Sequence, residues 1–342
     1  MRSLSPITFQ LTPERQSSTW WNPTNMSTAL QEALGDRARC LVTGGCGFIG
    51  RHVADELAAL GASVTTLDKC AFNAIRAGLD RHVVGDVRDT QLLSDVCEQM
   101  DFVFHLSGVL GTHELFVNPK EAVDVNINGA LSVLTAVEKC RSRPRVFLPA
   151  KPNEWNNIYS VTSQAVEKFG HTYRDVYGLD IRVLRIRNVY GPGQALYPVR
   201  KFVPYCISRA LNHETIEIFG DGTQDVELLY VRDVARLVTR YMFFEGDVRQ
   251  THEIRPVSSI PVQSLAEQIV ALACSRSRLV QVPMRLGEQP GTKFSSAPQI
   301  NALFDDKRPF VSVLEGLRLT LDWYRQLPLA VRARARTFYE AS

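Results

Sequence analysis

The sequence predicts an α/β fold with a doubly wound parallel sheet and a smaller C-terminal lobe. From Arg39 to about residue 190, apolar strand-like runs alternate with segments of helical periodicity, as in parallel sheets covered by helices on both faces. A glycine-rich turn, Thr43-Gly44-Gly45-Cys46-Gly47-Phe48-Ile49-Gly50, separates the first strand from the first helix. After Gly191 the chain has more proline and shorter, irregular segments, which indicates a second structural unit.

The predicted elements follow one another in strand–helix order. Apolar runs typical of buried strands occupy 40–43, 63–67, 82–84, 102–106, 145–149 and 181–185. Helical spacing occupies 48–60, 90–99, 121–140 and 159–177. The 342 residues thus divide into an N-terminal extension (1–36), a first domain (37–190) and a second lobe (191–342), with 223–245 expected to return to the first domain.

The glycine turn has the form of a phosphate-binding loop. Gly44 permits a tight turn, Gly47 lets the backbone approach a pyrophosphate, and Gly50 lets helix and strand pack closely. The helix that starts at Phe48 and Ile49 offers unpaired N–H groups to the phosphates. Residues 37–190 are therefore predicted to form a Rossmann-like dinucleotide-binding domain.

The end of the second predicted strand indicates which dinucleotide is bound. Asp68 follows Gly50 by 18 residues, where a carboxylate can accept hydrogen bonds from an adenosine ribose. The same carboxylate repels a 2′-phosphate, so NAD is favoured over NADP as the cofactor. Lys69 and Arg51 are close enough in sequence to weaken that preference. Thr43, at the strand end, and Lys69 complete the expected cofactor contacts around the turn.

Composition excludes several classes of partner and site. The 39 basic and 36 acidic residues are nearly balanced, so no nucleic-acid partner is expected. The seven cysteines form an odd set without a CxxC motif, which favours a reducing cytoplasm over a disulfide framework and indicates no metal site. No apolar run reaches the length of about 18 residues that a membrane span needs, so no membrane partner is expected.

Further motifs occur in a fixed order along the chain. Gly85-Asp86-Val87-Arg88-Asp89 follows the third predicted strand, and His105-Leu106-Ser107-Gly108 ends the fourth. Asn126-Ile127-Asn128-Gly129-Ala130 lies in the central helix, and Arg187-Asn188-Val189-Tyr190-Gly191-Pro192-Gly193 follows the sixth strand. Gly220-Asp221-Gly222, Gln224, Tyr230-Val231 and Asp233-Val234-Ala235 lie in the second lobe, and Leu314-Glu315-Gly316-Leu317 with Trp323-Tyr324 lies in its last helix.

From about residue 38 to 327, these motifs resemble the extended short-chain dehydrogenases/reductases of the NAD-dependent nucleotide-sugar epimerase/dehydratase family. The resemblance implies that Asp86 meets the adenine amino group and that Val87, Leu106, Ser107 and Gly108 lie along the cofactor. It also implies a substrate-facing Asn188, a substrate-binding C-terminal lobe, and a homodimer formed by two paired helices of each subunit.

The catalytic residues depart from the pattern that the resemblance implies. The family uses a Ser or Thr, a Tyr acid/base, and a Lys four residues after the Tyr that lowers the pKa of the phenol. Tyr159 occupies the Tyr position, but Ser163 stands where the Lys is expected, and the strand end before it has no hydroxyl. Lys151 is the candidate for a displaced cation, with a solvated loop lysine as the alternative. His113 is a further acid/base candidate.

The substrate lobe also departs from the resembled pattern. Val226 stands where the family has an Arg that grips the diphosphate of the substrate. Arg200 and Lys201, just before a predicted helix start, are the candidates to supply the missing positive charge. A pair of solvated surface charges is the alternative interpretation.

Three functions remain open at this stage. The first is an NAD-dependent enzyme that epimerises or dehydrates a nucleotide sugar through transient hydride transfer to bound NAD. The second is a catalytically impaired NAD-binding regulator or partner subunit. The third is an NAD-dependent enzyme that acts on a non-nucleotide small molecule. The retained Tyr159 and Asn188 favour the first.

Overall fold

The computed structural model describes residues 37–71, 78–152, 155–244, 246–256, 258–288, 297–300 and 310–341. The N-terminal extension predicted at 1–36 lies outside the described residues. The strands are β1 (Arg39–Thr43), β2 (Ser63–Asp68), β3 (Arg81–Val84), β4 (Phe102–His105), β5 (Arg145–Ala150), β6 (Ile181–Ile186), β7 (Asn188–Tyr190), β8 (Ile216–Phe219), β9 (Asp225–Val226), β10 (Leu228–Tyr230), β11 (His252–Ile254), β12 (Ile260–Pro261) and β13 (Leu279–Val282).

Seven of these strands form one sheet in the order β11-β6-β5-β4-β1-β2-β3, and every neighbouring pair is parallel. The predicted α/β doubly wound fold is confirmed. The strand at the outer edge, β11, was not anticipated from the sequence. Its three residues, His-Glu-Ile, include a fully buried Glu253 and have no apolar run to mark them.

The helices cover both faces of this sheet and also form much of the second lobe. They are α1 (Phe48–Ala59), α2 (Thr90–Cys97), α3 (Pro119–Ala122), α4 (Gly129–Lys139), α5 (Ile158–Tyr177), α6 (Phe202–Leu211), α7 (Val231–Tyr241), α8 (Val262–Leu272), α9 (Val313–Arg325) and α10 (Leu329–Ala341). A π-helical segment, Val123–Asn128, joins α3 to α4. None of the described helices is long and apolar enough to cross a membrane.

Each face of the sheet packs on a different set of helices. On one face, Val53 of α1 and Val234 and Val238 of α7 pack with Val42 of the central strand in one buried cluster. On the other face, residues of α2, α4 and α5 pack against alternate residues of β1, β4, β5 and β6. Helix α7 therefore lies on the large sheet, although it follows segments that belong to the second lobe.

The second lobe has its own core around three two-stranded sheets. Strand β8 pairs with β13, β7 with β10, and β9 with β12. Helices α6, α8, α9 and α10 contribute apolar side chains to a single cluster with these strands. Tyr190 of β7 packs so closely on α9 that a Cβ at Gly316 would lie 2.1 Å from its hydroxyl oxygen. Because β7 begins two residues after β6 ends, this contact places α9 near the carboxyl end of β6.

Helix α5 is positioned by its ends and by one close contact with the sheet. The side chain of Asn157 caps its first turn by accepting a hydrogen bond from the Ser160 N–H at 2.9 Å. Gly178 ends the helix in the left-handed conformation, with φ +65°. At Gly170, a Cβ would lie 2.7 Å from Leu148 Cδ1 and 3.2 Å from Val183 Cγ2. The helix that carries Tyr159 therefore lies unusually close to β5 and β6.

Replacing Gly170 with Ala is expected to lower the free energy of unfolding by about 1–3 kcal/mol. Overpacking against Leu148 and Val183 outweighs the gain in helix propensity of about 1 kcal/mol. Urea denaturation measures the difference, with the exposed Lys168→Ala on the same helix as the matched control. A Gly170→Ala variant as stable as the control would contradict the close packing.

Candidate active site

The parallel sheet brings the ends of its strands to one edge, and the glycine turn lies there. Gly44 adopts φ +70°, and a Cβ on it would lie 2.8 Å from the backbone of Leu106 and Ser107. A Cβ on Gly50 would lie 2.1 Å from the Gly44 carbonyl oxygen. Helix α1 starts after Gly47 without any side-chain cap, so its first N–H groups face outward with a positive dipole end. This cradle fits a pyrophosphate.

Thr43 positions the end of β4 from within the sheet. Its side chain is fully buried, and its hydroxyl accepts hydrogen bonds from the N–H groups of Leu106 at 3.2 Å and Ser107 at 3.3 Å. The hydroxyl also lies 3.0 Å from Nδ1 of His105, whose pKa is lowered to about 4 by burial. Thr43 is thus within the sheet edge rather than in the lining of the cavity, where its hydroxyl holds Leu106 and Ser107, and its contact with a cofactor stays a prediction.

Asp68 lies beside the glycine turn, as the sequence predicted. Its carboxylate accepts hydrogen bonds from the backbone N–H groups of Cys46 at 3.0 Å and Cys70 at 3.1 Å. A carboxylate can accept about four hydrogen bonds, so ribose hydroxyls can still be accommodated. The side chain thus fixes the turn and remains chemically suited to a ribose.

Asp86 is surrounded by cations. Arg88 binds both of its oxygens, and Lys69 Nζ lies 3.1 Å from Oδ2. The Arg88 side chain, aided by Lys69, holds the pKa of Asp86 well below its usual range. Lys69 is thus engaged with Asp86. The side chain of Val87 is buried in the core and lies against Gly129, so only its backbone remains for the expected cofactor contact.

One cavity of about 500 Å³ runs from the glycine turn into the second lobe. Its walls include the start of α1, the end of β4, the end of β5, the first turns of α5, and the segments around β7, β8 and β13. The predicted cofactor-binding, substrate-binding and acid/base residues that line the cavity are Gly47, Phe48, Ile49, Gly50, Leu106, Ser107, Gly108, Lys151, Tyr159, Asn188, Arg200 and Lys201.

The cavity brings Lys151 and Tyr159 together. Lys151 follows the last residue of β5, and its Nζ lies 5.7 Å from the centroid of the Tyr159 ring. Burial raises the pKa of Tyr159 to about 12. The pKa of Lys151 is lowered to about 7, first by burial and then by the charges of Lys201 and Arg187. Ser163 also lines the cavity, one helical turn after Tyr159.

His113 is not part of this wall. It is exposed and directly precedes a short 3₁₀ turn, Glu114–Phe116, whose first residue does line the cavity. The acid/base role considered for His113 is therefore not supported by its position. Glu114, which the sequence did not single out, occupies the wall instead and accepts a hydrogen bond from the Arg200 N–H at 2.9 Å.

Arg200 is built into the wall of the second lobe. Its guanidinium donates to Glu217 at 2.8 Å and stacks on Tyr205 and Phe219, with 3.8 Å and 4.7 Å between the guanidinium carbon and the ring centroids. Lys201 is only partly buried, and desolvation lowers the pKa of its amine.

Arg285 belongs to none of the motifs that mark the other residues of the cavity. It lines the cavity, forms an ion pair with Glu288, and lies over Phe219 with 4.9 Å to the ring centroid. The only signal available was a basic residue shortly after the end of β13, because no apolar pattern or spacing connected it with the cofactor motifs.

The arrangement combines a dinucleotide cradle with a second, cation-lined chamber. The model of the NAD dependent epimerase/dehydratase family matches residues 40–250, which is more than half of the chain. The chain belongs to this family. The resemblance inferred from the motifs is confirmed, and the cofactor of the family is NAD, as the sequence predicted.

Known proteins resemble this chain in sequence or in fold. A UDP-N-acetyl-alpha-D-glucosaminuronate decarboxylase from Bacillus cytotoxicus is 27% identical over 85% of this chain and 99% of its own length. An epimerase from Methanothermobacter thermautotrophicus has a similar fold, with a TM-score of 0.80 and 24% identity over 91% of this chain and 98% of its own. A Thermus thermophilus UDP-glucose 4-epimerase in complex with NAD gives a TM-score of 0.74 and 23% identity, over 85% of this chain and its own entire chain.

The Asp68→Asn variant of this family member is expected to bind NAD about tenfold more weakly and to discriminate less against NADP. The neutral amide loses a charge-assisted acceptor for the ribose and no longer repels a 2′-phosphate. Calorimetric titration with both dinucleotides measures the change.

Asp80→Asn is the matched control. Asp80 resembles Asp68 in that its carboxylate accepts a hydrogen bond from a backbone N–H, that of Val64, at 2.8 Å. It differs in position, because Asp80 precedes β3 whereas Asp68 ends β2. If Asp68→Asn left the ratio of the two affinities at the wild-type value, Asp68 would not select the cofactor.

Proposed function

We propose that this protein is an NAD-dependent enzyme that oxidises a hydroxyl of a nucleotide sugar transiently during an epimerase-, dehydratase- or related reaction. The observation that carries the proposal is the continuity of the cavity. The same space is lined by Phe48 and Ser107 at the dinucleotide cradle and by Lys201 and Arg285 in the second lobe. A cofactor and an anionic substrate can therefore share it.

The cofactor end of the cavity fits NAD. The uncapped start of α1 suits the pyrophosphate, Asp68 suits the adenosine ribose, and the backbone of Leu106 and Ser107 lines the path between them. When bound, NAD would supply the acceptor for the hydride that leaves the sugar carbon, whose hydroxyl loses a proton. The protein then has to orient the sugar and move that proton.

The second chamber suits a nucleoside diphosphate. Val226 stands where the resembled family has a diphosphate-binding Arg, so no cation is present at that position. Arg285 and Lys201 supply positive charge elsewhere in the same cavity. Arg285 presents a planar, multi-donor guanidinium beside Phe219. Arg200 is held by Glu217 and two rings, so we assign it mainly to shaping the chamber. Asn188 lies between the two ends and is suited to a sugar hydroxyl.

The names of the similar proteins support this substrate class. The Bacillus relative is named for decarboxylation of a UDP-linked uronate, and the Thermus structure for epimerisation of UDP-glucose. Denaturing the purified protein and identifying the released small molecules by mass spectrometry tests the proposal. Release of NAD(H), together with turnover of a nucleotide sugar, is the expected result. Firm NAD binding without turnover of any nucleotide sugar would favour an NAD-binding regulator.

Arg285→Ala is expected to weaken binding of UDP by about 10- to 100-fold, because it removes a charged hydrogen-bond donor worth about 1.5–3 kcal/mol. Calorimetry with UDP on the NAD-loaded protein measures the loss. Arg278→Ala is the control, because it removes an exposed arginine that directly precedes the first residue of β13. Equal UDP affinity in both variants would remove Arg285 from the proposed site.

We also propose that the protein is a homodimer. We propose a location in the cytoplasm, because the seven cysteines form no disulfide. Helices α4 and α5 lie side by side. Val123, the first residue of the π-helical segment before α4, and Val161, in the first turn of α5, are both exposed. Other apolar residues of this region, such as Val125 and Leu134, are buried within the subunit. The proposed contact surface is therefore narrower than the apolar pattern alone suggests.

Val161→Glu is expected to convert the dimer to a monomer, because it places a charge at the centre of an apolar two-fold contact. Light scattering coupled to size exclusion gives the mass. Leu329→Glu, which changes an exposed leucine on the second lobe, serves as the control. A wild-type protein that is monomeric at micromolar concentration would contradict the proposed homodimer.

A further inference from the structure

The proposed reaction needs a group that exchanges a proton with a sugar hydroxyl near neutral pH. His105 lines the cavity, but it is buried, pairs with the Thr43 hydroxyl, and has a pKa lowered to about 4 by desolvation. Its imidazole is neutral across the physiological range and is held inside the sheet edge. It is poorly placed to take up a proton and release it again during turnover.

Tyr159 is in the cavity but is a weak base there. Burial raises the pKa of its phenol to about 12, so only about one molecule in 10⁵ carries a phenolate at pH 7. One turn further along α5 the side chain is Ser163, which has no charge to stabilise a phenolate. The neutral phenol can donate a hydrogen bond to a sugar oxygen, but it rarely removes a proton.

Lys151 lines the same cavity as Tyr159 and is placed to exchange a proton there. It lies where β5 opens onto the cavity, with Nζ over the Tyr159 ring at 5.7 Å from its centroid. Its amine makes no hydrogen bond or ion pair within the described part of the chain. Because no carboxylate of the described residues pairs with it, this amine can meet a substrate in the cavity.

The charges around Lys151 explain its titration. Desolvation lowers the pKa of its amine to about 7, and the cations of Lys201 and Arg187 act in the same direction. Four carboxylates also line the cavity. Glu114 and Glu217 accept hydrogen bonds from Arg200, Glu288 pairs with Arg285, and Asp225 of β9 is exposed. Both protonation states of Lys151 are therefore populated near neutral pH, which suits a general acid/base.

We infer that Lys151, not Tyr159, is the group that exchanges a proton with the sugar hydroxyl in the proposed reaction. The neutral amine takes the hydroxyl proton: the O–H bond breaks, an N–H bond forms at Nζ, and the oxygen electron pair becomes the second carbonyl bond as the carbon loses its hydride to the cofactor. In the reverse direction the ammonium returns the proton. Tyr159 orients the oxygen as a neutral hydrogen-bond donor.

Kinetics of three variants test this inference, which rests on the proposed function. Lys151→Met is expected to lower kcat by about 10²- to 10⁴-fold, and the rise of kcat/KM with pH through about 7 disappears. Lys151→Arg keeps the charge but cannot release a proton, so it is expected to be equally impaired. Tyr159→Phe keeps the inflection near pH 7, with a smaller loss. Lys168→Met, at an exposed site on α5, is the matched control.

The outcomes separate the inference from the proposed function. Full activity in Lys151→Arg would show that Lys151 acts only as a positive charge and not as an acid/base. Loss of the pH inflection in Tyr159→Phe would show that Tyr159 exchanges the proton. Wild-type activity in Lys151→Met would overturn the inference and leave the proposed function intact. A wild type that binds NAD but turns over no nucleotide sugar would overturn both. Unchanged NAD affinity and circular dichroism verify that the variants fold.

A direct titration gives a readout that does not depend on turnover. Lysine amines labelled with ¹³C-methyl groups are followed by NMR as the pH of the NAD-loaded protein is varied. One resonance is expected to titrate near pH 7, to be absent from Lys151→Met and to persist in Lys168→Met. A Lys151 resonance that titrates near its ordinary value of about 10 would overturn the inference.

Discussion

The parallel register of the large sheet is the constraint on which the site depends. Because all of its strands run in one direction, their carboxyl ends meet at one edge, and the backbone there has to turn away. The turn after β1 is tight enough that Gly44 touches the backbone of Leu106, and the Thr43 hydroxyl ties these two ends together. Asp68 then joins the end of β2 to the same turn through the Cys46 N–H. Residues that are distant in sequence are thereby held within hydrogen-bond reach of one ligand path.

The second lobe completes the cavity because the chain returns to the sheet more than once. Helix α7 packs on α1, and β11 adds a seventh strand beside β6. Arg187, at the end of β6, pairs with Glu227 at 2.9 Å and with the fully buried Glu253 of β11. Breaking one partner of such a buried cluster leaves an uncompensated charge and is strongly destabilising. Arg187 itself lines the cavity, so this cluster holds one residue of the cavity wall in place.

Desolvation shifts the pKa values of the two acid/base candidates, Tyr159 and Lys151, in opposite directions. The same buried cavity disfavours the charged form of each group, so it raises the pKa of Tyr159 and lowers the pKa of Lys151. A cation one turn after Tyr159 would oppose the first shift, and Ser163 cannot. Lys201 and Arg187 strengthen the second shift. The loss of one lysine and the gain of another therefore change which group can carry the proton, without any change in fold.

The sequence by itself determined the fold class, the NAD cradle and the family, because periodicity and glycine spacing are local and survive divergence. The order of strands and helices follows from patterns of this kind, and so does the carboxylate of Asp68 at a strand end. Only the tertiary structure decided which side chains line the cavity and which pKa values are shifted, because both depend on burial and on contacts between residues distant in sequence. It moved Thr43 into a supporting role, excluded His113 from the cavity, and brought Arg285 into it. A pKa depends on desolvation and on charges from several elements, so the contrast between Lys151 and Tyr159 could not be read from their spacing.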